Sequence, residues 1–418
     1  MTVAPGREQG TVRWRRRTVI LLLVVAGLFV VRAVADMWLG GALKAEIARL
    51  EDRHGPLRWD SVRKIDPWTT WPRRFAPDNR ARLIDAAAAR ITIATDAQES
   101  LLRAVQPEAM SGGQLREIAE ANRDAVELAV GAARLPHSNW NVRCCGGVPN
   151  LTDLVFLSSI LGITAREDTD AGRDDAAAAD VTAGFAIATA MSSEPAPVMF
   201  LIAARSAYVH DVALKDLLNR GEPSAAALTE LARVLEEGLA APPARVALLG
   251  LLKRARADWP RVERGWFFTG EYGYPMEPST WTRGLAWLAR PVIRYRALQD
   301  LADRGRAVDA ASVPRAERPG ITSSLRPPAP GLIEAGDAWS VILRNAATAV
   351  ALRRFRIDHG AYPARLDQLV PGYLKAVPID PYAGGSPEYV RSGKGFEIRM
   401  NVPLPKQLER YGNWNVTR

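Results

Sequence analysis

The chain has 418 residues, about three times a common domain size, so we expect more than one folding unit. Hydrophobic residues make up 48% and charged residues 24%, which excludes a disordered or collagen-like chain. The net charge is +9, but Arg far outnumbers Lys and Ala is abundant, which indicates GC-rich coding rather than a surface selected for nucleic acid. Two Cys and four His leave little material for a metal centre.

The N-terminus predicts a membrane segment. Residues 1–17 carry five Arg and one Glu, a net charge of +4, and residues 18–31 are uncharged and mostly apolar. Basic residues favour the cytoplasmic side, so we expect a cytoplasmic basic tail at 1–17 and the bulk of the chain outside the cytoplasm. Fourteen residues are short for a span of about twenty, so the predicted anchor extends over 18–39, with Arg32 snorkelling and Trp38 at the outer interface.

A cleaved signal peptide is the alternative, because Ala33-Val34-Ala35 is a small-residue cleavage site after a short apolar core. We favour the uncleaved, single-pass anchor in the inner (plasma) membrane. Both hypotheses place the residues from about 40 onward outside the cytoplasm.

The middle of the chain predicts a helical body. In the connector at 40–78, Leu43–Leu50 are predicted to form a short helix that continues from the membrane segment, His54-Gly55-Pro56 end it, and the prolines that follow indicate an extended chain. The apolar spacing of residues 79–304 indicates an α-helical domain. Short connections such as 221–223 predict antiparallel hairpins of neighbouring helices. A Pro-rich linker is expected at 305–334. The expected helices cover 79–105, 111–134, 151–165, 174–192, 196–220, 224–240, 243–262 and 291–303.

A different pattern begins near residue 335. One amphipathic helix is predicted from Asp337 to Asp358, with Gly360 as its left-handed cap, and two short strands at 388–391 and 395–400 follow. Between the helix and the strands stand Tyr362-Pro363, Leu366, Leu369, Tyr373-Leu374, Pro378, Asp380-Pro381, Gly384-Gly385 and Tyr389.

In this order and spacing, residues 338–400 resemble the C-terminal part of the major pseudopilin of type II secretion systems. The resemblance implies a small α+β unit at 335–400, a helix plus a β-hairpin, followed by a tail at 401–418. The chain departs from that family in two ways: it has no prepilin cleavage motif before Thr18, and residues 401–405 lack the carboxylates of a calcium loop. Calcium binding and pilus assembly are therefore not expected.

The whole layout also resembles a loosely defined family of uncharacterised bacterial proteins. Its members have an N-terminal anchor, an Ala- and Leu-rich helical body and the same C-terminal unit. This resemblance implies architecture only.

Cys144 and Cys145 are the most unusual local feature. Outside the cytoplasm they are free or buried thiols, a strained vicinal disulfide, or, with His137, a metal or redox site. We favour thiols. A second cluster, Asp168, Asp170, Asp174, Asp175 and Asp180, fails the spacing of a calcium loop, because Arg173 and Ala179 occupy the positions that need Gly and Glu. We expect a solvated loop there.

Known catalytic motifs are missing from the sequence. His210-Asp211 suggests a dyad, but there is no Gly-x-Ser-x-Gly elbow, P-loop, dinucleotide-binding fingerprint or HExxH motif. We therefore expect a structural or surface histidine. The aromatic stretch 264–282, with Arg261, Arg264 and Arg283, is a candidate for binding glycan or peptide, or else a cap on the helical body.

The sequence thus predicts a mostly α protein with an N-terminal transmembrane helix, an array of α-helical hairpins and a small C-terminal α+β unit. The favoured function is a non-enzymatic, membrane-anchored, extracytoplasmic scaffold or binding protein of the bacterial envelope. We expect the inner membrane and an envelope protein as partners, no nucleic acid, no cofactor, and no catalytic or metal residues. The alternatives are a secretion-apparatus component and an extracytoplasmic enzyme whose site joins the 136–150 loop to the 264–282 aromatics.

Overall fold

A computed structural model describes residues 7–57, 78–104, 112–136, 138–140, 150–240, 243–264, 266–268, 275–276, 278–318, 325, 328–399 and 413–417. The prediction of a mostly helical chain with a small C-terminal sheet and an N-terminal apolar helix is confirmed. The helices are α1 Arg7–His54, α2 Arg80–Ala88, α3 Asp96–Ala104, α4 Gly112–Ala121, α5 Arg123–Ala133, α6 Leu151–Asp170, α7 Asp174–Ser192, α8 Pro197–Arg220, α9 Ala225–Leu239, α10 Pro243–Val262, α11 Thr280–Ala311 and α12 Ala329–His359. The strands are β1 Phe267–Phe268, β2 Pro275–Met276, β3 Glu388–Ser392, β4 Gly395–Arg399 and β5 Trp414–Val416.

The chain divides into two compact units. The first unit comprises Met1–Arg58 and Arg254–Ala302, and the second comprises Trp59–Lys253 and Asp303–Arg418. The α-helical domain expected at 79–304 is thus divided, because the end of α10 and the start of α11 associate with α1 rather than with the preceding helices.

Helix α7 is the centre of the second unit, where it packs against α5, α6, α8 and α9. It begins with Asp174 and Asp175, whose charges favour a helix N-terminus, and continues with small and apolar residues on every face. A helix that is apolar all round must be covered on all sides, and almost every residue from Ala177 to Ser192 is buried. Helices α8 and α9 in turn carry α12.

A buried arginine joins the N-terminal helices of this unit to its centre. The Arg80 side chain is 1% exposed, and its Nε and Nη2 donate to the carbonyl oxygen of Leu135 at 3.1 and 2.6 Å. Its Nη1 donates to the carbonyl oxygen of Ala186 and forms an ion pair with Glu237, both at 3.3 Å. Helix α2 is therefore fixed to the end of α5, to α7 and to α9 by one side chain.

The C-terminal segment forms the expected helix and hairpin. Helix α12 ends at His359, and Gly360 has a φ of 77°, the left-handed cap expected from the sequence. Strands β3 and β4 pair antiparallel, with Tyr389 opposite Ile398. The pseudopilin-like residues serve this local fold: the Tyr389 hydroxyl donates to the carbonyl oxygen of Pro363 at 2.9 Å, and the Asp380 carboxylate accepts from the backbone N–H of Tyr382 at 2.8 Å.

The short helix expected over Leu43–Leu50 is present as the end of α1, which runs to His54 and buries Leu39, Leu43 and Leu50. Other expected segments differ in the structure. The helix expected at 111–134 is divided at Asn122 into α4 and α5, and the helix expected at 291–303 begins earlier, at Thr280. The expected linker at 305–334 is shorter, since α11 runs to Ala311 and α12 begins at Ala329. The expected tail at 401–418 contributes β5, which pairs antiparallel with β4 and buries Trp414 and Val416.

Gly184 offers a sharp test of the packing between α7 and α8. A Cβ at this position would lie 2.0 Å from Nε2 of the buried His210, so Gly184→Ala overpacks the core and is expected to cost about 3 kcal/mol of unfolding free energy. Gly131→Ala on α5 meets no atom within 4 Å and should stabilise the protein by about 0.5–1 kcal/mol through helix propensity. Urea unfolding of the full-length protein in mild detergent, followed by circular dichroism, measures both. Equal midpoints for the two variants would contradict this packing.

Candidate functional site

The first half of α1 is apolar and uncovered in the first unit. From Thr18 onward the helix is long and apolar enough to cross a membrane, and none of its most apolar window is buried. The exposed side chains include Ile20, Leu21, Leu22, Leu23, Val24, Leu28, Phe29, Val30 and Val31. Helix α8 also passes the length and composition test, but 61% of its window is buried, as expected for a core helix of the second unit.

Arg32 follows this apolar run, and its guanidinium contacts α11. The guanidinium lies over the indole ring of Trp287, 3.9 Å from its centroid, and Nη2 donates to the carbonyl oxygen of Trp287. Pro291 explains why that carbonyl can accept: proline has no N–H, so the oxygen four residues earlier loses its helical hydrogen bond. The Phe29 ring packs on the same indole, with centroids 6.0 Å apart.

Asp36, one turn further along α1, also has a partner on α11, in this case an ion pair. Arg294 of α11 approaches its carboxylate at 3.1 Å and donates to its backbone carbonyl oxygen at 2.7 Å. The same guanidinium binds Glu263, just after α10, at 3.0 Å. The lack of a side chain at Gly40 permits this approach, because a Cβ there would lie 2.6 Å from Arg294 Nη1. One arginine therefore links α1, α11 and the end of α10.

Two backbone features bring the remaining residues of the site together. In the last turn of α10, the Arg261 carbonyl oxygen accepts from the backbone N–H groups of Arg264 and Trp266 at 2.9 and 3.1 Å. These bonds keep Trp266 close to the end of the helix. At the start of α11, the Ser279 hydroxyl accepts from the backbone N–H of Thr282 at 3.2 Å as an N-cap.

These elements line an open cavity of about 590 Å³, which we call the Arg–Trp cavity. A volume in this range suits a small-molecule ligand or a headgroup. The cavity is lined by Arg261, Glu263, Arg264, Trp266, Pro278, Arg283, Trp287 and Arg290.

The cavity is strongly basic. Among the described residues, four guanidinium groups and one carboxylate line the cavity, and that carboxylate, Glu263, is already paired with Arg294. Within the part of the chain that the structure describes, Arg264 and Arg283 have no ion-pair partner. Guanidinium groups bind phosphate and carboxylate in a bidentate manner, and indole faces stack on planar or apolar groups. The arrangement is therefore suited to an anionic ligand with an apolar portion.

Part of this site is predicted by the sequence. Arg261, Arg264 and Arg283 were expected to act with the aromatic stretch 264–282, and the structure brings all three to the Arg–Trp cavity. Trp287 and Arg290 were missed, because Pro291 suggested that the helix starts there. The Ser279 cap, followed by Thr282, was the signal that would have placed the start correctly.

His210 and Asp211 do not form a dyad. The imidazole is fully buried, its Nε2 lies 3.3 Å from the Ser158 hydroxyl, and that hydroxyl donates to Ser206 at 2.7 Å. Burial lowers the pKa of His210 to about 3, so the ring is neutral at pH 7. No substrate can reach a serine and histidine buried in this way, and the cluster is part of the core.

Asp211 has a separate role. Its carboxylate accepts from Trp414 Nε1 at 3.1 Å and pairs with Lys215 at 2.8 Å, which fixes β5 to α8. Burial raises the pKa of Asp211, and Lys215 partly opposes that shift.

The acidic cluster is distributed among helix connections. Asp168 pairs with Arg173 at 2.6 Å, while Asp174 accepts from the backbone N–H of Glu222 and Asp175 from that of Ser224. Asp180 is buried on α7, contrary to the expected solvated loop, and burial raises its pKa well above the usual value. Among the described residues, no group of three His, Cys, Asp or Glu side chains is placed to hold a metal ion. His137, Cys144 and Cys145 lie outside the described residues.

Comparison with protein-family models, with curated proteins and with solved structures finds no match to this chain. The pseudopilin resemblance therefore has no support beyond the residues that suggested it.

The buried His210 predicts a pH dependence of stability. Its folded pKa lies below the unfolded value of about 6.5, so the unfolded state takes up the proton first on acidification, and the stability contribution is lost between pH 6.5 and about 3. Between pH 7 and pH 5 we expect wild type to lose about 2 kcal/mol relative to His210→Gln. Asp180, whose folded pKa is raised, changes stability in the opposite direction, because the folded state takes up its proton first on acidification. Asp180→Asn should remove this gain in stability at low pH. Urea unfolding at the two pH values measures these differences, and an unchanged gap between wild type and His210→Gln contradicts the assignment.

Proposed function

We propose that the protein is a non-enzymatic binding protein or scaffold of the bacterial envelope, anchored in the inner membrane by α1. Its N-terminus is cytoplasmic, the bulk of the chain is extracytoplasmic, and the Arg–Trp cavity binds the anionic group of its ligand. One observation carries this proposal: a cavity with four arginines, two of them without an ion-pair partner among the described residues, lies in the same unit as an uncovered apolar helix.

The contacts of α1 favour an anchor over a signal peptide. Cleavage after Ala35 would remove Phe29 and Arg32, which both contact the Trp287 ring, and with Arg32 the donor to the freed carbonyl oxygen of Trp287. It would also make Asp36, the partner of Arg294, the first residue. A segment discarded after export has no need of such specific contacts with α11.

The anchor predicts resistance to extraction. Membranes washed with alkaline carbonate should retain the full-length protein, and its intact mass should include residues 1–35. Protease added to spheroplasts should remove the chain beyond α1 and leave an N-terminal tag protected. Release of a soluble protein that begins at Asp36 would refute the anchor.

The cavity predicts charge-dependent anion binding. Detergent-solubilised full-length protein should bind inorganic pyrophosphate in calorimetry, and Arg283→Gln should weaken that binding about tenfold through loss of one charge-assisted hydrogen bond. Arg296→Gln removes the same charge from an exposed position on the same helix that does not line the cavity, so it serves as the matched control. Equal affinities for the two variants would contradict the site.

A secretion-apparatus component is the second candidate, and the helix-plus-hairpin arrangement of α12, β3 and β4 favours it. Co-purification of the protein with secretion subunits from crosslinked membranes tests it. The enzyme alternative requires the 136–150 loop, of which residues 137 and 141–149 lie outside the described residues.

A further inference from the structure

The start of α11 carries a second uncovered apolar surface, which we call the α11 stripe. Its residues recur at spacings of four, three, four and three, so they share one face of the helix. All are at least 47% exposed, and Trp281 reaches 75%. The stripe consists of Trp281, Leu285, Leu288, Val292 and Tyr295.

This helix is amphipathic, but its apolar face is exposed and its charged face is covered, which is the opposite of an ordinary surface helix. Its charged face, with Arg290 and Arg294, points toward Asp36 and Glu263 inside the first unit, while the apolar face is exposed. In water, an isolated aromatic and aliphatic face of this size is unfavourable, and it marks contact with a partner or a membrane.

Two contacts place the first half of α11 beside the end of the apolar run of α1. Trp287 packs on Phe29, a residue of the apolar run of α1, and on Arg32, which ends that run. Residues 18–31 rise only about 21 Å, whereas the apolar core of a bilayer is about 30 Å thick. If α1 crosses the membrane, the level of Arg32 is therefore still within the outer leaflet, and α11 lies beside it there.

We propose that the α11 stripe lies against the acyl chains of the outer leaflet and that the Arg–Trp cavity, on the other face of α11, holds the phosphate of an anionic phospholipid. This inference rests on the proposed anchoring by α1. The two faces of α11 carry the matching chemistry: Arg283, Trp287 and Arg290 line the cavity, and Leu285, Leu288 and Val292 are exposed for contact with acyl chains. An amphiphilic ligand also explains why one cavity combines four arginines with two tryptophans.

Hydroxyl-radical footprinting of the full-length protein in lipid nanodiscs tests the position of the stripe. Leu285 and Leu201 are equally exposed in the structure, at 47% and 48%, but Leu201 lies on α8 of the second unit. We expect Leu285 to be oxidised at least fivefold more slowly than Leu201, because lipid excludes the radical source. Equal rates would overturn the proposal. If the protein nonetheless resists carbonate extraction, only this inference fails and the anchor stands.

Native mass spectrometry tests the headgroup. Protein released from nanodiscs that contain equal amounts of phosphatidylcholine and phosphatidylglycerol should retain phosphatidylglycerol at least fivefold more often. Arg264→Gln with Arg283→Gln should abolish that preference, whereas Arg296→Gln should leave it intact. Equal retention of the two lipids would assign the cavity to a soluble anion instead and overturn the lipid assignment.

Discussion

The buried guanidinium of Arg80 is the constraint on which the helical unit depends. A charge with almost no exposed surface is tolerated only where acceptors surround it, and here they come from the Leu135 and Ala186 carbonyl oxygens and from Glu237. Because those acceptors belong to different segments, namely the end of α5, α7 and α9, α2 has one position in which the charge is satisfied. The apolar contacts of α7 give the unit its core, and Arg80 fixes the arrangement of the helices around it.

The same use of arginine recurs and changes the interpretation of the composition. Arg353 is buried and donates to the Gly221 carbonyl oxygen at 3.0 Å, which joins α12 to the end of α8. Arg318 binds Asp337 at 2.5 Å across the connection into α12. Burial raises the pKa of Asp337, and its arginine partners oppose that shift. Three of the arginines that suggested GC-rich coding, Arg80, Arg318 and Arg353, therefore hold interior contacts between separate segments.

Local signals predicted the helices well and the long-range contacts poorly. The apolar spacing gave most helices of the second unit, and Gly360 marked the end of α12 because only the left-handed region suits a cap there. Pro291 misled the prediction of α11, since a proline marks a helix start more often than an interior position. The three residues of β5 are too few to show a period. The Arg–Trp cavity was predicted in part, because its arginines lie close in sequence, whereas the contact of Trp287 with Arg32 joins residues 255 positions apart.

Pro291 connects the fold to the proposed membrane role. The apolar run of α1 is too short to cross a bilayer alone, and extending it to about 30 Å brings Arg32 and Asp36 into the span. An unpaired charge at that depth is costly, so each needs a partner on a neighbouring element. Proline in α11 frees a carbonyl for Arg32, and Arg294 supplies the charge for Asp36. In the proposed span the charged side chains of α1 thus depend on α11, and one of the residues that they contact, Trp287, also lines the Arg–Trp cavity.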